Sequence, residues 1–371
     1  MTTPHVMQVV YALSPGGSEM LASAIASAGV AQGLRMSVCA LHRGGALAPR
    51  LRARGVTTHA IERPDGFQPG ALARMYRLFR RERATVVLTH HLGQLFYSAL
   101  GARLAGCRLL HVEHEHFTLL PPKARRQLRL AARLAERVVG VSEEVVEFLV
   151  REVGLPPAKV ALIRNGVDAV RFAPPTGGER AALGVPAGVP VAGTVGRLDP
   201  VKDHATLLAG FRRVLETVPE ARLVIVGEGE MRPQVEAFVA LYGLQGRVVL
   251  LGERLDVAAL LPGLDVFVLS SFNEGLSLAL LEAMACARPV VVTDVGAAAG
   301  VVGDGRAGLV VPPKDPEALA AAVARLLQDR EAAARLGSTG RRLIEQRYDL
   351  RETVAAYLAL CRGADRGGRC S

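Results

Sequence analysis

The sequence predicts an α/β protein with two doubly wound domains, each built on a parallel β-sheet. Its 371 residues exceed one ordinary domain and suit two, since domains usually span roughly 100 to 200 residues. Short apolar runs alternate with helical segments along most of the chain, which is the pattern of parallel sheets with right-handed crossovers. Hydrophobic residues make up 50% of the chain and tryptophan is absent, so we expect cores of Ala, Val and Leu.

The first half opens with a strand, a glycine-containing loop and a helix. Residues 6–11 are apolar and largely β-branched, and Ser14-Pro15-Gly16-Gly17 separates them from an Ala-rich helical stretch at 19–32. Further strands are predicted at 35–41, 84–89, 108–113 and 137–141, with a helix at 70–83. These elements assign residues 1–170 to an N-terminal Rossmann-like domain.

The same alternation restarts after a Pro/Gly-rich stretch at 173–190, which places the linker at 168–190. Strands are predicted at 189–195, 223–226, 248–251, 266–269 and 289–292, and helices at 316–327 and 330–346. Residues 171–349 therefore form the second domain. We expect helix 350–362 to pack back on the first domain, residues 363–371 to be a disordered tail, and ligands to bind in a cleft where the strands of two facing sheets end.

Several classes of protein are disfavoured by composition. No apolar run approaches the roughly 18 to 20 residues of a spanning helix, and no charged segment with a secretory core opens the chain, so we expect a cytoplasmic protein. The five cysteines are odd in number, scattered and without C-x-x-C spacing. Neither a disulfide framework nor a zinc site is therefore predicted.

The positive charge is concentrated in the first half. Residues 1–171 hold 23 Lys/Arg against 12 Asp/Glu, and residues 172–371 hold 22 against 23, which together give the net +10. Such a half suits nucleic acid, anionic lipid or an anionic acceptor. Scarce aromatics and the lack of a recognition motif argue against nucleic acid. The arginine-rich stretches 74–83 and 123–137 fit helices that rest on an anionic membrane, or a solvated face, and both interpretations stay open.

Two glutamates, Glu274 and Glu282, stand eight residues apart where a buried strand leads through a loop into a helix. On a helix this spacing separates them by ~12 Å along the axis and about 80° around it, too far for an acid/base pair on one bond. They could instead hold two parts of one extended ligand, with an anion facing the amides of Gly275, Leu276 and Ser277 at the helix start. On an arbitrary helix, a dipole-favoured Glu and a solvated Glu would be the commoner explanation.

The loop after strand 189–195 supplies two cations. Gly196 is followed by Arg197, and Lys202 stands five residues further on. Two cations at the same strand ends as the glutamates can hold a diphosphate and stabilise it as it departs. Sugar, diphosphate and ribose are the parts of a nucleotide sugar, so this context favours a ligand over solvated charges.

The chain resembles the family 4 retaining glycosyltransferases over nearly its whole length. The matching motifs occur in the family's order: Gly16-Gly17-Ser18-Glu19, Ile163 to Asp168 with Arg171-Phe172, Gly196-Arg197-Leu198, Val226 to Gly229, Glu274-Gly275 with Glu282 to Ala285, and Asp304-Gly305 with Gly308. The E-x7-E element is the most specific of them.

The resemblance implies a GT-B fold and a role for each matching residue. Glu274 would contact the transferred sugar, Glu282 the ribose, and Arg197 with Lys202 the diphosphate, while Gly16 and Gly17 would bring backbone close to the donor. His114 would contact the donor sugar, with His116 as second candidate. Many relatives carry a Glu where this chain has Gly300, which bears on donor specificity.

Two other motifs are weaker. His111, His114 and His116 alternate with other residues, but without a third clear ligand, and with a family that works without a divalent ion, no metal is expected. Strand alternation would place His114 and His116 on one face and His111 on the other. The glycines of Gly227-Glu228-Gly229 are half of a dinucleotide fingerprint, since Arg232 stands where the third glycine belongs, and NAD is disfavoured.

The resemblance therefore implies a retaining, metal-independent hexosyltransferase. It would move sugar from a UDP- or GDP-linked donor to a hydroxyl of a glycan or lipid-linked acceptor in cell-surface polysaccharide or glycolipid synthesis, in the cytoplasm or peripherally on the inner membrane face. No separate cofactor and no nucleic acid are expected. The alternatives are a sugar-nucleotide epimerase on the same fold, a basic protein that binds anionic polymers or nucleic acid, and an inactive scaffold.

Overall fold

The computed structural model describes residues 4–114, 122–303 and 305–363. These residues form two compact units, one from residues 1–165 with 352–371 and the other from residues 166–351. The boundary predicted from the sequence, at 170/171, lies a few residues further on. The predicted tail lies outside the described residues apart from Gly363.

The N-terminal unit contains a seven-stranded parallel sheet in the order β3-β2-β1-β4-β5-β6-β7. Its strands are β1 His5–Val10, β2 Arg35–Ala40, β3 Thr57–Ala60, β4 Val86–His90, β5 Arg108–Glu113, β6 Arg137–Gly140 and β7 Val160–Leu162. Its helices are α1 Gly17–Ala31, α2 Leu47–Ala53, α3 Pro69–Glu82, α4 His91–Leu104, α5 Pro122–Ala132 and α6 Glu143–Arg151. The central strands β1, β4 and β5 are buried on both faces, as is usual in a parallel sheet, and they also bury the polar side chains of Gln8, His90 and His111.

The C-terminal unit contains a six-stranded parallel sheet in the order β10-β9-β8-β11-β12-β13. Its strands are β8 Val191–Val195, β9 Arg222–Val226, β10 Val248–Gly252, β11 Val266–Leu269, β12 Val290–Thr293 and β13 Leu309–Val311. Its helices are α7 His204–Thr217, α8 Arg232–Leu241, α9 Val257–Leu260, α10 Leu278–Ala285, α11 Ala298–Val301, α12 Pro316–Gln328 and α13 Arg330–Arg347. The last helix, α14 Leu350–Arg362, leads into the C-terminal part of the first unit.

The predicted strands occur within two residues of their expected ends. Strands β3, β7 and β13 were not predicted, and all three lie at sheet edges. Edge strands are short and only half covered, so they lack the long apolar run by which a central strand is recognised. Helix α14 is joined to the first unit through Arg108, whose guanidinium donates to the carbonyls of Leu360 and Cys361 at 3.3 and 2.8 Å.

No helix in the described ranges is long and apolar enough to cross a bilayer.

Candidate functional site

The loops that follow β8 and β9 are joined by main-chain hydrogen bonds beyond the strands themselves. The amide of Gly196 donates to Val226 O at 3.0 Å, and the amide of Leu198 donates to Glu228 O at 2.9 Å. A Cβ atom at Gly227 would lie 1.8 Å from the carbonyl oxygen of Gly196. Gly227 is therefore needed for this close approach, which replaces its interpretation as part of a dinucleotide fingerprint.

Lys202 ends a short 3-10 turn, Pro200–Lys202, in the loop after β8. Its side chain crosses Gly196, where an added Cβ would meet Lys202 Cε at 3.4 Å. Its ammonium forms an ion pair with the carboxylate of Glu274, in the loop after the adjacent strand β11. Ser271 Oγ donates to the same carboxylate oxygen, Glu274 Oε1, at 2.8 Å. The structure thus brings together Lys202, which is predicted to bind the diphosphate, and Glu274, which is predicted to bind the sugar.

Main-chain contacts hold these two loops against each other. The amide of Phe272 donates to Val201 O at 2.9 Å, and Ser270 Oγ donates to Lys202 O at 2.8 Å. The backbone on both sides of the ion pair is therefore fixed. Lys202 and Glu274 have little freedom to separate without a competing ligand.

Arg197 is exposed and stands apart from this ion pair. Its Nε lies 3.8 Å from Asp199 Oδ2 on the same loop. Burial raises the pKa of Asp199, and the charges of Lys202 and Arg197 act in the opposite direction. Arg197 is thus held loosely by a neighbouring carboxylate, with its guanidinium open to solvent and to an anion.

Helix α10 begins at Leu278, later than the sequence analysis assumed. Ser277 is its N-cap, with extended backbone, and its hydroxyl accepts the amide of Leu280 at 3.4 Å. Glu274, Gly275 and Leu276 therefore precede the helix, and the expected helical separation of Glu274 from Glu282 was wrong. The physical reason is the serine side chain, which takes the place of the missing carbonyl and so sets the first turn.

The segment that carries Glu274 is held from the other side by the loop after β12. Gly296 has φ +50°, and a Cβ atom there would lie 1.9 Å from the carbonyl oxygen of Glu274. The amide of Ala297 donates to Gly275 O at 3.0 Å. Gly296 is therefore required both by its backbone conformation and by this contact. Gly300 is exposed on the short helix α11.

Glu282 lies on α10 and is partly buried. Burial raises the pKa of Glu282 to about 8, and the guanidinium of Arg171 acts in the opposite direction. This carboxyl group is mostly protonated at neutral pH in the ligand-free protein. Hydroxyl groups that donate to it would stabilise the carboxylate, so Glu282 is suited to bind a diol such as a ribose.

In the N-terminal unit, Gly16 is the N-cap of α1 and Gly17 is its first residue, so Gly17 is helical where a loop was predicted. The carboxylate of the buried residue Glu19 folds back over this start, because an added Cβ at Gly16 would lie 2.5 Å from Glu19 Oε2. Ser18 Oγ donates to Glu19 Oε2 at 2.9 Å. A carboxylate thus already occupies the positive end of this helix.

His114 directly follows β5 and joins a cluster of histidines at the ends of neighbouring strands. Its ring stacks on those of His90 and His91, with centroids 5.2 and 4.8 Å away. Burial holds the pKa of His114 well below its ordinary value, and the charges of His91 and His90 lower it further. His111 is fully buried, with its Nε2 3.4 Å from Glu113 Oε2.

His90 and His91 were not among the predicted site residues, although a His-His pair at the end of the predicted strand 84–89 was a usable signal. His116 lies outside the described residues. Within the described residues, no group of three or more His, Cys, Asp or Glu side chains is arranged to hold a metal ion.

Two protein families match this chain, each over a different part of it. Residues 178–343 match "Glycosyl transferases group 1", and residues 15–171 match "Glycosyltransferase Family 4". The chain is similar to the UDP-Gal:alpha-D-GlcNAc-diphosphoundecaprenol alpha-1,3-galactosyltransferase of Escherichia coli, with 28% identity over 70% of each chain. It is also similar to the alpha-maltose-1-phosphate synthase of Mycolicibacterium smegmatis, with 33% identity over 71% of this chain and 76% of the relative.

Several other curated relatives are longer, and the chain spans only 54 to 56% of their length. Among solved structures, the Anabaena protein Alr3699/HepE in complex with UDP and glucose superposes with a TM-score of 0.83 at 22% identity, over 97% of this chain and 99% of that one. Together with the two parallel-sheet units, this likeness confirms the predicted GT-B fold.

Proposed function

This chain belongs to glycosyltransferase family 4, within the group 1 glycosyl transferases, and we propose that it transfers a sugar from a nucleoside diphosphate sugar to a hydroxyl group with retention of configuration. The observation that carries this proposal is the pairing of Lys202 with Glu274. A cation for the diphosphate and a carboxylate for the sugar hydroxyls are neighbours, as the two ends of a sugar-phosphate bond require.

The surroundings of the charged side chains support the roles that we propose for them. Glu274 is held by both Lys202 and Ser271, which suits a carboxylate that orients sugar hydroxyls rather than one that attacks the anomeric carbon. Lys202 and Arg197 stabilise the charge that develops on the departing diphosphate. The acceptor hydroxyl approaches the face that the diphosphate leaves, and a phosphate oxygen takes its proton. Front-face attack of this kind retains the anomeric configuration.

Uridine is the nucleoside we propose for the donor, with guanosine as the next candidate. The Escherichia coli relative is named for UDP-Gal, and the Anabaena structure contains UDP and glucose. Glu282 supports a nucleotide of either base, because its partly buried carboxyl group faces a ribose rather than the base under this proposal. The transferred group is a hexose, and no metal ion takes part, because Lys202 and Arg197 supply the positive charge.

For the acceptor we propose a hydroxyl of a lipid-linked glycan, in the synthesis of a cell-surface polysaccharide or glycolipid. The Escherichia coli relative is named for an acceptor on diphosphoundecaprenol, which is a lipid-linked sugar. The excess of Lys and Arg in the first half of this chain suits the diphosphate of such an acceptor.

A membrane-facing surface in the N-terminal unit agrees with that acceptor. Phe96, Leu100 and Leu104 lie four residues apart on α4 and form one exposed apolar stripe, with 38, 55 and 63% of their surface accessible. Helix α4 packs against both α3 and α5. These neighbours carry exposed cations, including Arg77 on α3 and Arg126 on α5. An apolar stripe between basic helices suits the interface of an anionic membrane.

Thermal unfolding with a panel of UDP, GDP, ADP and TDP tests the donor assignment. A ligand that binds only the folded state raises the melting temperature, so the cognate diphosphate should do so, and Glu282→Ala should remove the shift. A panel without any shift would contradict the proposal. Analysis of products with donor alone then separates transfer from epimerisation, because an epimerase converts the donor without an acceptor.

A further inference from the structure

Three side chains on adjacent strands or directly after them form a hydrogen-bonded row in the N-terminal unit. Gln8 lies in β1, His90 ends β4 and His114 follows β5, and these strands are neighbours in the sheet. Gln8 Oε1 lies 3.1 Å from His90 Nε2, and His90 Nδ1 lies 2.9 Å from His114 Nε2. Gln8 and His90 are fully buried, so the row has no access to water at its inner end.

The direction of the row is set at Gln8. Its amide Nε2 donates to the carbonyl of Ala22 at 2.8 Å, which turns Oε1 toward His90. An amide oxygen only accepts hydrogen bonds, so His90 must carry a proton on Nε2. Burial lowers the pKa of His90 to about 3, with the charges of His91 and His111 acting in the same direction, so the ring holds one proton. His90 Nδ1 is therefore an acceptor.

The hydrogen bond between His90 and His114 fixes the position of the proton on His114 in the same way. Because His90 Nδ1 accepts, His114 Nε2 must donate and carries the proton. A second proton would give His114 a positive charge beside the rings of His90 and His91, and burial disfavours that charge. The adjacent carboxylate of Glu113 accepts the main-chain amide of His114 at 3.1 Å. His114 thus keeps a lone pair on Nδ1.

We propose that Gln8 and His90 are positioning residues that fix the tautomer of His114, so that His114 presents Nδ1 as a hydrogen-bond acceptor to a hydroxyl of the donor sugar. The contact with the sugar rests on the proposed function, whereas the tautomer rests on the hydrogen bonds alone. A neutral acceptor at this position would select a sugar with a hydroxyl there, and would reject an analogue in which that hydroxyl is replaced by hydrogen or fluorine.

The tautomer can be measured without any activity, by ¹⁵N NMR of the full chain labelled on its histidine rings, with the His114 signals identified by their loss in His114→Gln. We expect a protonated, pyrrole-type nitrogen at Nε2 and a pyridine-type nitrogen at Nδ1. In Gln8→Glu, the introduced carboxylate should draw a second proton onto His90, which then donates to His114 and moves the proton of His114 to Nδ1. Ser37→Ala, which removes the 2.9 Å contact to His5 Nε2 at the other end of β1, should leave His114 unchanged.

Two variants of His90 provide a second test that does not depend on whether Gln8→Glu folds. His90→Asn keeps an acceptor near the place of Nδ1, whereas His90→Leu removes it. We expect kcat/KM for the donor to fall about tenfold in His90→Leu and to stay within about twofold of wild type in His90→Asn. A proton on Nδ1 of His114 in the wild type, or the same His114 spectrum in all variants, would overturn the proposal. The expected spectra without transferase activity would instead overturn the proposed function.

Discussion

Lys202 and Glu274 form an ion pair although they stand 72 positions apart in the chain. The pair is largely withdrawn from water, with 21 and 13% of the two side chains accessible. Each residue is also a proposed ligand of the donor, one for its diphosphate and one for its sugar. A bound donor must therefore compete with the pair for both side chains, and this arrangement links binding to local rearrangement.

Replacing Lys202 with Met should weaken binding of the nucleoside diphosphate by tenfold to a hundredfold, on the order expected for a lost charge-assisted hydrogen bond. Binding of the nucleoside without phosphates should stay unchanged. Isothermal calorimetry measures both. Arg213→Met is the matched control, because Arg213 pairs with Glu317 at 2.9 Å elsewhere in the same unit. Equal losses for the nucleoside and its diphosphate would contradict the assignment of Lys202.

The stability of the protein should depend on pH through Glu282. Its pKa is raised in the folded state from an ordinary 4.5 to about 8, so its contribution is fully present below 4.5 and is lost as the pH rises through 8. Glu282→Gln cannot ionise. Its melting temperature should therefore rise relative to wild type between pH 5 and pH 9. A constant difference across this range would show that the carboxyl group is ionised throughout.

Nucleotide binding near neutral pH should release protons. Ribose hydroxyls that donate to Glu282 favour its carboxylate, so a group that is mostly protonated before binding loses its proton. Calorimetry in two buffers with different enthalpies of ionisation gives the number released, which we expect to approach one at pH 7. The same titration of Glu282→Gln should show no release from this site. Proton uptake by the wild type would exclude the ribose role.

Gly296→Ala should destabilise the C-terminal unit and reduce donor binding together. The new Cβ would collide with the carbonyl oxygen of Glu274 at 1.9 Å, and φ +50° is strained for alanine, so a loss of about 1 to 3 kcal/mol in unfolding free energy is expected. Gly70→Ala, at an exposed position in the other unit where an added Cβ meets nothing within 4 Å, should leave both properties near wild type. Chemical denaturation and nucleotide titration provide the two readouts.

Membrane binding should depend on the apolar stripe of α4. The wild type should sediment with vesicles that contain anionic phosphatidylglycerol and remain in solution with neutral phosphatidylcholine at physiological salt. Leu100→Glu combined with Leu104→Glu should reduce binding at least about tenfold, because two leucines no longer enter the interface. Leu241→Glu changes a leucine that is 72% exposed in the other unit and should bind as wild type. If the wild type sediments with neither kind of vesicle, the proposed membrane-binding surface is excluded.

Much of the fold was predictable because central parallel strands leave a strong signal. The runs at 108–113 and 266–269 match β5 and β11 at both ends. The strand β11 is apolar throughout, whereas β5 was recognised from Leu109, Leu110 and Val112. The edge strand β3, with the sequence Thr57–Ala60, carries no such run. The start of α10 was misplaced because a serine can stand inside a helix or cap it, and only the tertiary contacts of the loop decide between them.

The sequence by itself determined the fold class, the order of the strands along the chain and the chemical character of Arg197, Lys202, Glu274 and Glu282. These properties depend on residue types and their local spacing. Only the tertiary structure decided which side chains meet: Lys202 with Glu274, and Gln8 with His90 and His114. The physical reason is that neighbours in a sheet follow the spatial order of strands, with β8 beside β11 and β4 between β1 and β5, and not their order in the chain.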